Sequence, residues 1–199
     1  MMTNNDAKSV IRLLRQADYG SHFIVIYPNL AILREIYSNY TLTQIEENNE
    51  IVVLIPYYET TDSVRSVLQK SMHSSSHNTN TNNLNKIRKY EKENRLVIID
   101  SVKAYFTSKI GLESFIQNLV EHAKSTGRKG VSVITDAGSY SLFEIRDSLV
   151  EYELNLPSHY NDVPLKRFCI YNQAELNIFP EEKKQKLLKH HTANLIVTA

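Results

Sequence analysis

The sequence of 199 residues contains no tryptophan and a single cysteine, Cys169. One cysteine cannot form a disulfide within the chain, so we expect a cytoplasmic setting in which thiols stay reduced. No apolar run approaches the roughly 20 residues that a membrane-spanning helix needs. The N-terminal segment MMTNNDAKSVIRLLRQ lacks the apolar stretch of a signal peptide. These absences predict a soluble protein with no membrane partner.

Glycine and excess charge are also scarce. The five glycines form no GxGxxG cluster, and the segment YPNLAIL after the first predicted strand has neither glycine nor lysine. A phosphate-binding loop needs both, because backbone N–H groups and a lysine hold the phosphates. The 23 basic and 22 acidic residues leave a net charge of +1, whereas dedicated nucleic-acid binders usually carry a basic stripe. Both features argue against nucleotide hydrolysis and against a dedicated nucleic-acid binder.

The sequence does contain a regular alternation of apolar strands and amphipathic helices. Because the strands are uniformly apolar, both faces of the sheet should be covered, which predicts a three-layer α/β fold with a mainly parallel sheet flanked by helices. The predicted strands are His22–Tyr27, Ile51–Tyr58, Leu96–Ile99, Val131–Thr135, Leu165–Tyr171 and a short Leu195–Val197. The predicted helices are Asn4–Asp18, Asn29–Glu47, Thr60–Lys70, Leu84–Glu93, Gly111–Gly127, Ser141–Leu154 and Glu181–His190.

The length favours one domain over residues 1–199. Residues 1–20 form an N-terminal helical extension in this prediction. Residues 71–83, SMHSSSHNTNTNN, have almost nothing apolar to bury and predict a mobile polar loop. His73 and His77 have helical ligand spacing, but the surrounding serine, asparagine and threonine disfavour the helix that a metal site would need.

A candidate ligand site lies at the ends of the predicted strands. In open parallel sheets, ligands bind beyond the carboxyl ends of the strands. Tyrosines with two carboxylates would suit a mixed apolar and polar pocket, and no histidine or nucleophile is placed beside them by spacing, so no catalytic residue is predicted. In the alternative interpretation the carboxylates cap turns or helices and the tyrosines edge the core. The candidate residues are Tyr27, Tyr57, Asp100, Asp136 and Tyr171.

Other reactive side chains give weaker signals. Cys169 lies inside an apolar strand and is predicted to be a buried small hydrophobe. His22 begins a strand at the end opposite the candidate site, so we expect a structural hydrogen bond. His190 and His191 are adjacent and point to different sides of a helix, which is poor spacing for metal ligands. No metal or cofactor is therefore predicted, and Glu153 is left unassigned.

The order of these segments resembles a known family, the MEDS domain. This methanogen/methylotroph sensory domain is named for its occurrence in a dichloromethane-responsive repressor. The resemblance is carried by HFIVIY, IVVLIPYY, RLVIIDSVKAYF and STGRKGVSVITDAGS, and covers about Ser21 to Val197. It is most specific in LVEYELNLP, with the "YE" pair of a family helix, and in RFCIYNQAEL, with the "C-Y" pair of a family strand. The closing LLKHH resembles the terminal "L…H" helix of the family.

The resemblance implies a RecA/KaiC-like fold without its phosphate-binding loop, in agreement with the missing glycines and lysine. It also implies a non-catalytic sensory domain that binds a small molecule, such as a hydrocarbon derivative. Family members often sit beside histidine-kinase, PAS or DNA-binding modules. This sequence shows no such module, so we expect a separate output partner, either a histidine kinase or a transcription regulator.

Two other functions and the oligomeric state stay open. One alternative is a degenerate RecA-like nucleotide-binding protein or ATPase that uses Asp100 or Asp136 with a metal. The other is an interaction module in which the strand ends or the lysines of 183–189 dock a protein or nucleic acid. A homo-oligomer is compatible with all three functions.

Overall fold

A computed structural model describes residues 3–73, 80–142 and 146–198. Within these ranges, seven strands form one sheet in the order β1-β7-β2-β6-β5-β3-β4, and every pairing is parallel. The strands are β1 (Thr3–Asn5), β2 (His22–Tyr27), β3 (Ile51–Ile55), β4 (Leu96–Ile98), β5 (Val131–Asp136), β6 (Leu165–Asn172) and β7 (Ala193–Val197).

Helices cover both faces of this sheet. They are α1 (Ala7–Gln16), α2 (Leu30–Glu46), α3 (Thr61–His73), α4 (Asn80–Lys92), α5 (Leu112–Ser125), α6 (Ser139–Leu142), α7 (Arg146–Asn155), α8 (Gln173–Asn177) and α9 (Glu181–His190), with a π-helical segment at Lys103–Thr107. Helices α1 to α4 pack on one face, here the front face, and α5 to α9 pack on the other, the back face. The predicted three-layer α/β fold is confirmed. None of the described helices is both long and apolar enough to cross a bilayer.

The order of the strands explains the two helical layers. The connections from β1 to β4 run in one direction across the sheet through the front-face helices, and those from β4 to β7 run back through the back-face helices. A single crossover handedness requires this reversal of faces. At the neighbouring strands β2 and β6, the chain leaves toward opposite faces. That arrangement is a topological switch point, the usual ligand site of such sheets.

The N-terminal segment is more than a helical extension. Its strand β1, which was not predicted, adds to the sheet edge beside β7. The side chain of Asp6 caps α1 by accepting from the Ser9 N–H at 2.7 Å. Asn4 and Asn5, which fall within the predicted helix Asn4–Asp18, belong to β1 instead. Helix α1 buries Val10 and Leu14 against the front face, which makes this segment part of the core.

Several predicted boundaries need correction. Strand β3 ends at Ile55, since Pro56 has no N–H to continue the ladder. The predicted loop 71–83 is helical at both ends, because α3 runs to His73 and α4 begins at Asn80. Its middle, residues 74–79 with His77, lies outside the described residues. The described parts of the predicted helix Ser141–Leu154 belong to α6 and α7, and residues 143–145 between them lie outside the described residues.

Candidate functional site

The carboxyl ends of β2, β5 and β3 form one edge of the sheet, which we call the rim. The rim contains a buried tyrosine–carboxylate pair at the switch point. Tyr27 ends β2 and Asp136 ends β5, and their exposed fractions are 0% and 1%. The Tyr27 hydroxyl donates to Asp136 Oδ2 at 3.3 Å, and the Gly138 N–H donates to Oδ1 at 3.0 Å. Burial outweighs these hydrogen bonds and raises the pKa of Asp136 to about 7. A carboxyl group that changes charge near neutral pH therefore lies at this end of the sheet.

Two tyrosines after β3 cover this pair. The rings of Tyr57 and Tyr58 meet edge to face, with centroids 4.7 Å apart, and Tyr58 is 36% exposed. Below Tyr58 lies a cavity of about 20 Å³, which has room for about one water molecule. Its lining combines the Asp136 carboxylate with apolar side chains of both the sheet and the front-face helices, including Leu33, Leu54, Val64, Ile134 and Ile170.

The other two candidate residues lie elsewhere. Asp100 follows β4 at the sheet edge, is exposed, and accepts from the Lys103 N–H at 3.0 Å. It therefore caps a helical turn, as the alternative interpretation held. Tyr171 pairs in register with Ile26, so its side chain points to the back face and packs in the core there. The rim thus brings together Tyr27, Tyr57 and Asp136, and separates them from Asp100 and Tyr171.

At the start of α2, where a P-loop protein would bind phosphate, residues of the chain itself occupy or remove the backbone N–H donors. Asn29 caps the helix, and its side chain accepts from the Ile32 N–H at 3.1 Å. Pro28 has no N–H to offer. The backbone donors that an anion would need at this position are thus partly used or absent.

A second polar site lies under the back-face helices, in the middle of the molecule. It consists of His22, Glu153, Cys169 and His191, and each of these side chains is buried. One nitrogen, oxygen or sulfur atom from each lies within 4.8 Å of the other three. Four separate elements supply them: β2, α7, β6 and the residue that follows α9. We call this group the His–Cys–Glu cluster.

Distances within the cluster are short. Cys169 Sγ lies 3.3 Å from His22 Nε2 and 3.3 Å from Glu153 Oε2. Both imidazoles place Nε2 3.6 Å from Glu153 Oε2. The opposite nitrogens face backbone carbonyls, with His22 Nδ1 2.9 Å from Pro157 O and His191 Nδ1 2.7 Å from Leu187 O. The two rings are thereby held with Nε2 directed at the centre of the cluster.

The cluster shifts the acidity of its own members. Burial alone would lower the pKa of both imidazoles, but the Cys169 thiolate and the Glu153 carboxylate outweigh it and raise the pKa of His22 to about 9 and that of His191 to about 10. Burial also opposes ionisation of the two acids. Attraction to the imidazoles nevertheless holds the pKa of Glu153 well below its usual value and lowers that of Cys169 to about 7. Ion pairs between the two imidazoles and the two acidic side chains are thus favoured.

A buried arginine network borders the cluster. Arg167 is fully buried and donates to both carboxylate oxygens of Glu113, at 2.9 and 2.8 Å. It also donates to the hydroxyl groups of Tyr152 and Tyr160, at 2.8 and 3.3 Å. This network joins α5 and α7 to β6 beside the cluster. The Arg167 charge is neutralised locally by its ion pair with Glu113 at 2.8 Å.

The sequence analysis missed this cluster. Cys169 is buried as predicted, but it has polar partners in place of purely apolar ones. His22 does make the expected structural hydrogen bond, through Nδ1, while its other nitrogen faces the cluster. The spacing of His190 and His191 gave no signal for the cluster, because the partners of His191 come from other elements. A usable signal was present, since Glu153, Cys169 and the closing histidines lie in the segments that carry the family resemblance.

The comparisons with known proteins add no identification. No model of a protein family matches the chain. A search of curated proteins also finds no match.

Proposed function

We propose that this chain is a non-catalytic sensory domain that binds a small molecule at the rim formed by the ends of β2, β5 and β3. The supporting observation is the buried pair of Tyr27 and Asp136 beside a small cavity at the switch point. In this proposal the domain is cytoplasmic and has a degenerate RecA-like fold. It signals to a separate output protein, a histidine kinase or a transcription regulator.

The lining of the cavity suggests the class of ligand. Apolar walls with two carboxyl groups, Asp136 and Glu59, and the two phenol groups of Tyr37 and Tyr58 suit a small, partly polar molecule such as a hydrocarbon derivative. Asp136 is hydrogen-bonded to the Tyr27 hydroxyl and the Gly138 N–H, and no nucleophile among the described residues is bonded to it. The rim therefore has groups for recognition, and it lacks the paired nucleophile and base that covalent catalysis needs.

Entry of a ligand requires Tyr58 to move, because a cavity of about 20 Å³ holds about one water molecule. The next residue, Glu59, is buried and joins α2 to the start of α3. It accepts from Arg34 at 2.8 Å, from the Tyr37 hydroxyl at 3.1 Å and from Ser63 at 2.8 Å. Displacement of Tyr58 would therefore pull on the contact between these helices. A ligand that binds the form with Tyr58 displaced would increase the population of that form, and this change in the packing of α2 and α3 would be the signal.

The test uses a panel of short-chain alcohols, aldehydes and halogenated alkanes, with saturation-transfer NMR to detect binding. Tyr27→Phe removes one hydroxyl, and Asp136→Asn removes the charge. We expect either change to weaken binding of any hit by about tenfold or more, since a hydrogen bond to a charged group contributes about 1.5–3 kcal/mol. Tyr90→Phe is the matched control, because its hydroxyl donates to Glu46 at 2.8 Å in a contact between α4 and the end of α2, away from the rim.

Unchanged binding in both Tyr27→Phe and Asp136→Asn would refute this location. Micromolar, metal-dependent binding of ATP by calorimetry would instead favour the nucleotide-binding alternative. The lysines of α9 give little support to nucleic-acid docking, since Lys183, Lys184 and Lys186 each form an ion pair with a nearby carboxylate.

A further inference from the structure

We propose that the His–Cys–Glu cluster is a metal site that binds one divalent ion of the zinc class through His22 Nε2, Glu153 Oε2, Cys169 Sγ and His191 Nε2. This proposal is independent of ligand binding at the rim. It rests on the geometry of the four donors, on the direction of the two imidazoles, and on polar atoms in the cluster that lack partners.

The donor separations fit a tetrahedral ion. Zinc binds nitrogen and oxygen at about 2.0–2.2 Å and sulfur at about 2.3 Å, so its tetrahedral ligands lie about 3.3–3.6 Å apart. Cys169 Sγ lies 3.3 Å from both His22 Nε2 and Glu153 Oε2. The Nε2 atoms of His22 and His191 each lie 3.6 Å from Glu153 Oε2. All four donors lie within 4.8 Å, so binding would draw the widest pair together by about 1 Å.

The imidazoles are oriented as metal ligands usually are. A ligating histidine typically donates its second N–H to a carbonyl or carboxylate, which fixes the tautomer and the direction of the lone pair. Here the Nδ1 atoms of His22 and His191 face the carbonyls of Pro157 and Leu187. With the proton on Nδ1, each Nε2 presents a lone pair to the centre.

The cluster is poorly satisfied by protein atoms alone. His191 Nε2 and Glu153 Oε1 are buried, and neither has a hydrogen-bond partner within the described parts of the chain. Buried polar atoms without partners are costly and rare in folded proteins. A cation at the centre would bond to all four donors.

Charge and ligand type indicate the kind of ion. A thiolate, a carboxylate and two neutral imidazoles carry a charge of −2, so a divalent ion gives a neutral buried centre. Two nitrogens, one sulfur and one oxygen in tetrahedral geometry are typical of zinc. Because the protein fills all four positions, the ion would tie β2, β6, α7 and the end of α9 together, with no open position for a substrate.

The test measures metal binding to the full chain after removal of bound metal with a chelator. Titration with Zn²⁺ against a chromophoric chelator should give one tight site per chain, with release of protons at pH 7 as the donors ionise. Co²⁺ in place of Zn²⁺ should give a tetrahedral spectrum with a thiolate-to-cobalt charge-transfer band. This spectrum is recorded on the unaltered sequence, so it does not depend on whether a variant folds.

Variants then identify the ligands. We expect Cys169→Ala and His191→Asn to lower Zn²⁺ affinity by more than about 100-fold, since even outer partners of metal ligands contribute 10–100-fold. His190→Asn is the matched control: it is the adjacent histidine, and its Nε2 lies 2.9 Å from Leu156 O. Asp136→Asn should also bind Zn²⁺ normally, which separates this proposal from the one for the rim.

Two results would overturn the assignment. One is a Co²⁺ spectrum without the thiolate band, and the other is a folded Cys169→Ala protein that binds Zn²⁺ as tightly as the wild type. In either case the four side chains form a hydrogen-bonded cluster that holds protons only.

Discussion

Replacing Asp136 by asparagine should change how the stability of this protein depends on pH. The carboxyl group is 1% exposed, and its pKa is raised to about 7 because burial outweighs the bonds from Gly138 and Tyr27. Glu175 on α8 adds a repulsive charge. Asparagine has nearly the same shape and keeps an oxygen for the Gly138 N–H, but it has no charge to desolvate.

The expected magnitude follows from the two pKa values. The ordinary pKa of an aspartate side chain is 3.8, and the pKa of Asp136 in the folded protein is about 7. Because the folded pKa is the higher one, the folded state holds the proton more tightly, so the stability contribution is full below about pH 4 and is lost as the pH rises through 7. Ionisation then costs about 4 kcal/mol at pH 8 and about 1–2 kcal/mol at pH 5. Ionisation of Asp136 alone should therefore lower the free energy of unfolding by about 2–3 kcal/mol between pH 5 and pH 8.

Urea unfolding of the wild type and Asp136→Asn at pH 5, 6, 7 and 8 measures this effect. The free energy of unfolding of the variant, minus that of the wild type, should increase by about 2–3 kcal/mol from pH 5 to pH 8. Groups that titrate in both proteins, including His22 and His191, largely cancel in the difference. A difference that stays constant across the range would show that Asp136 is ionised throughout and would refute the reasoning.

Two further predictions concern the front face and the rim. Lys166 and Glu50 form a buried ion pair at 2.7 Å. Lys166→Met alone should lower the free energy of unfolding by about 3–5 kcal/mol, and adding Glu50→Gln should recover most of that loss. Equal urea midpoints for the single and double variants would contradict this. At Gly138 an added methyl would collide with the Tyr57 ring, so Gly138→Ala should lower stability by about 1–3 kcal/mol. Wild-type stability in Gly138→Ala would instead show that the rim tyrosines move at little cost.

The fold was predictable because its signals are local. Fully buried strands such as Ile51–Ile55 and Val131–Asp136 need cover on both faces, and the chain supplies a helix after each. The missed elements are short: β1 has three residues, and α8 has five. Strand β1 forms only because β7 offers it a partner. Nothing within Thr3–Asn5 itself could have indicated a strand.

The rim was predictable only in part, because its residues depend on register. The carboxyl ends of parallel strands share one edge, which correctly brought Tyr27 and Asp136 together. Side chains alternate between faces along a strand, and β6 is offset so that Asn172, one residue beyond Tyr171, lies opposite Tyr27. That offset places Tyr171 beside Ile26 on the back face. A sequence read without pairing partners cannot supply the offset.

The His–Cys–Glu cluster was unpredictable from spacing for a related reason. His22 and Cys169 share the back face because Cys169 pairs with Ile24, two residues after His22. Glu153 and His191 reach the same point from two helices that pack together over the sheet. A search for ligands at helical or strand spacing examines one element at a time. Here every donor comes from a different element, so only the assembled fold reveals the site.

The two proposed sites assign different roles to the two faces. A metal ion at the cluster would hold α7 and the end of α9 against β2 and β6, making the back face rigid. The cavity of the rim lies on the front face, where Glu59 links α2 and α3 through hydrogen bonds from Arg34 and Ser63. Displacing Tyr58 would therefore move front-face helices against a sheet that is fixed from behind. In the proposed sensory function, an output protein that responds to this movement would bind the front-face surface of α2 and α3.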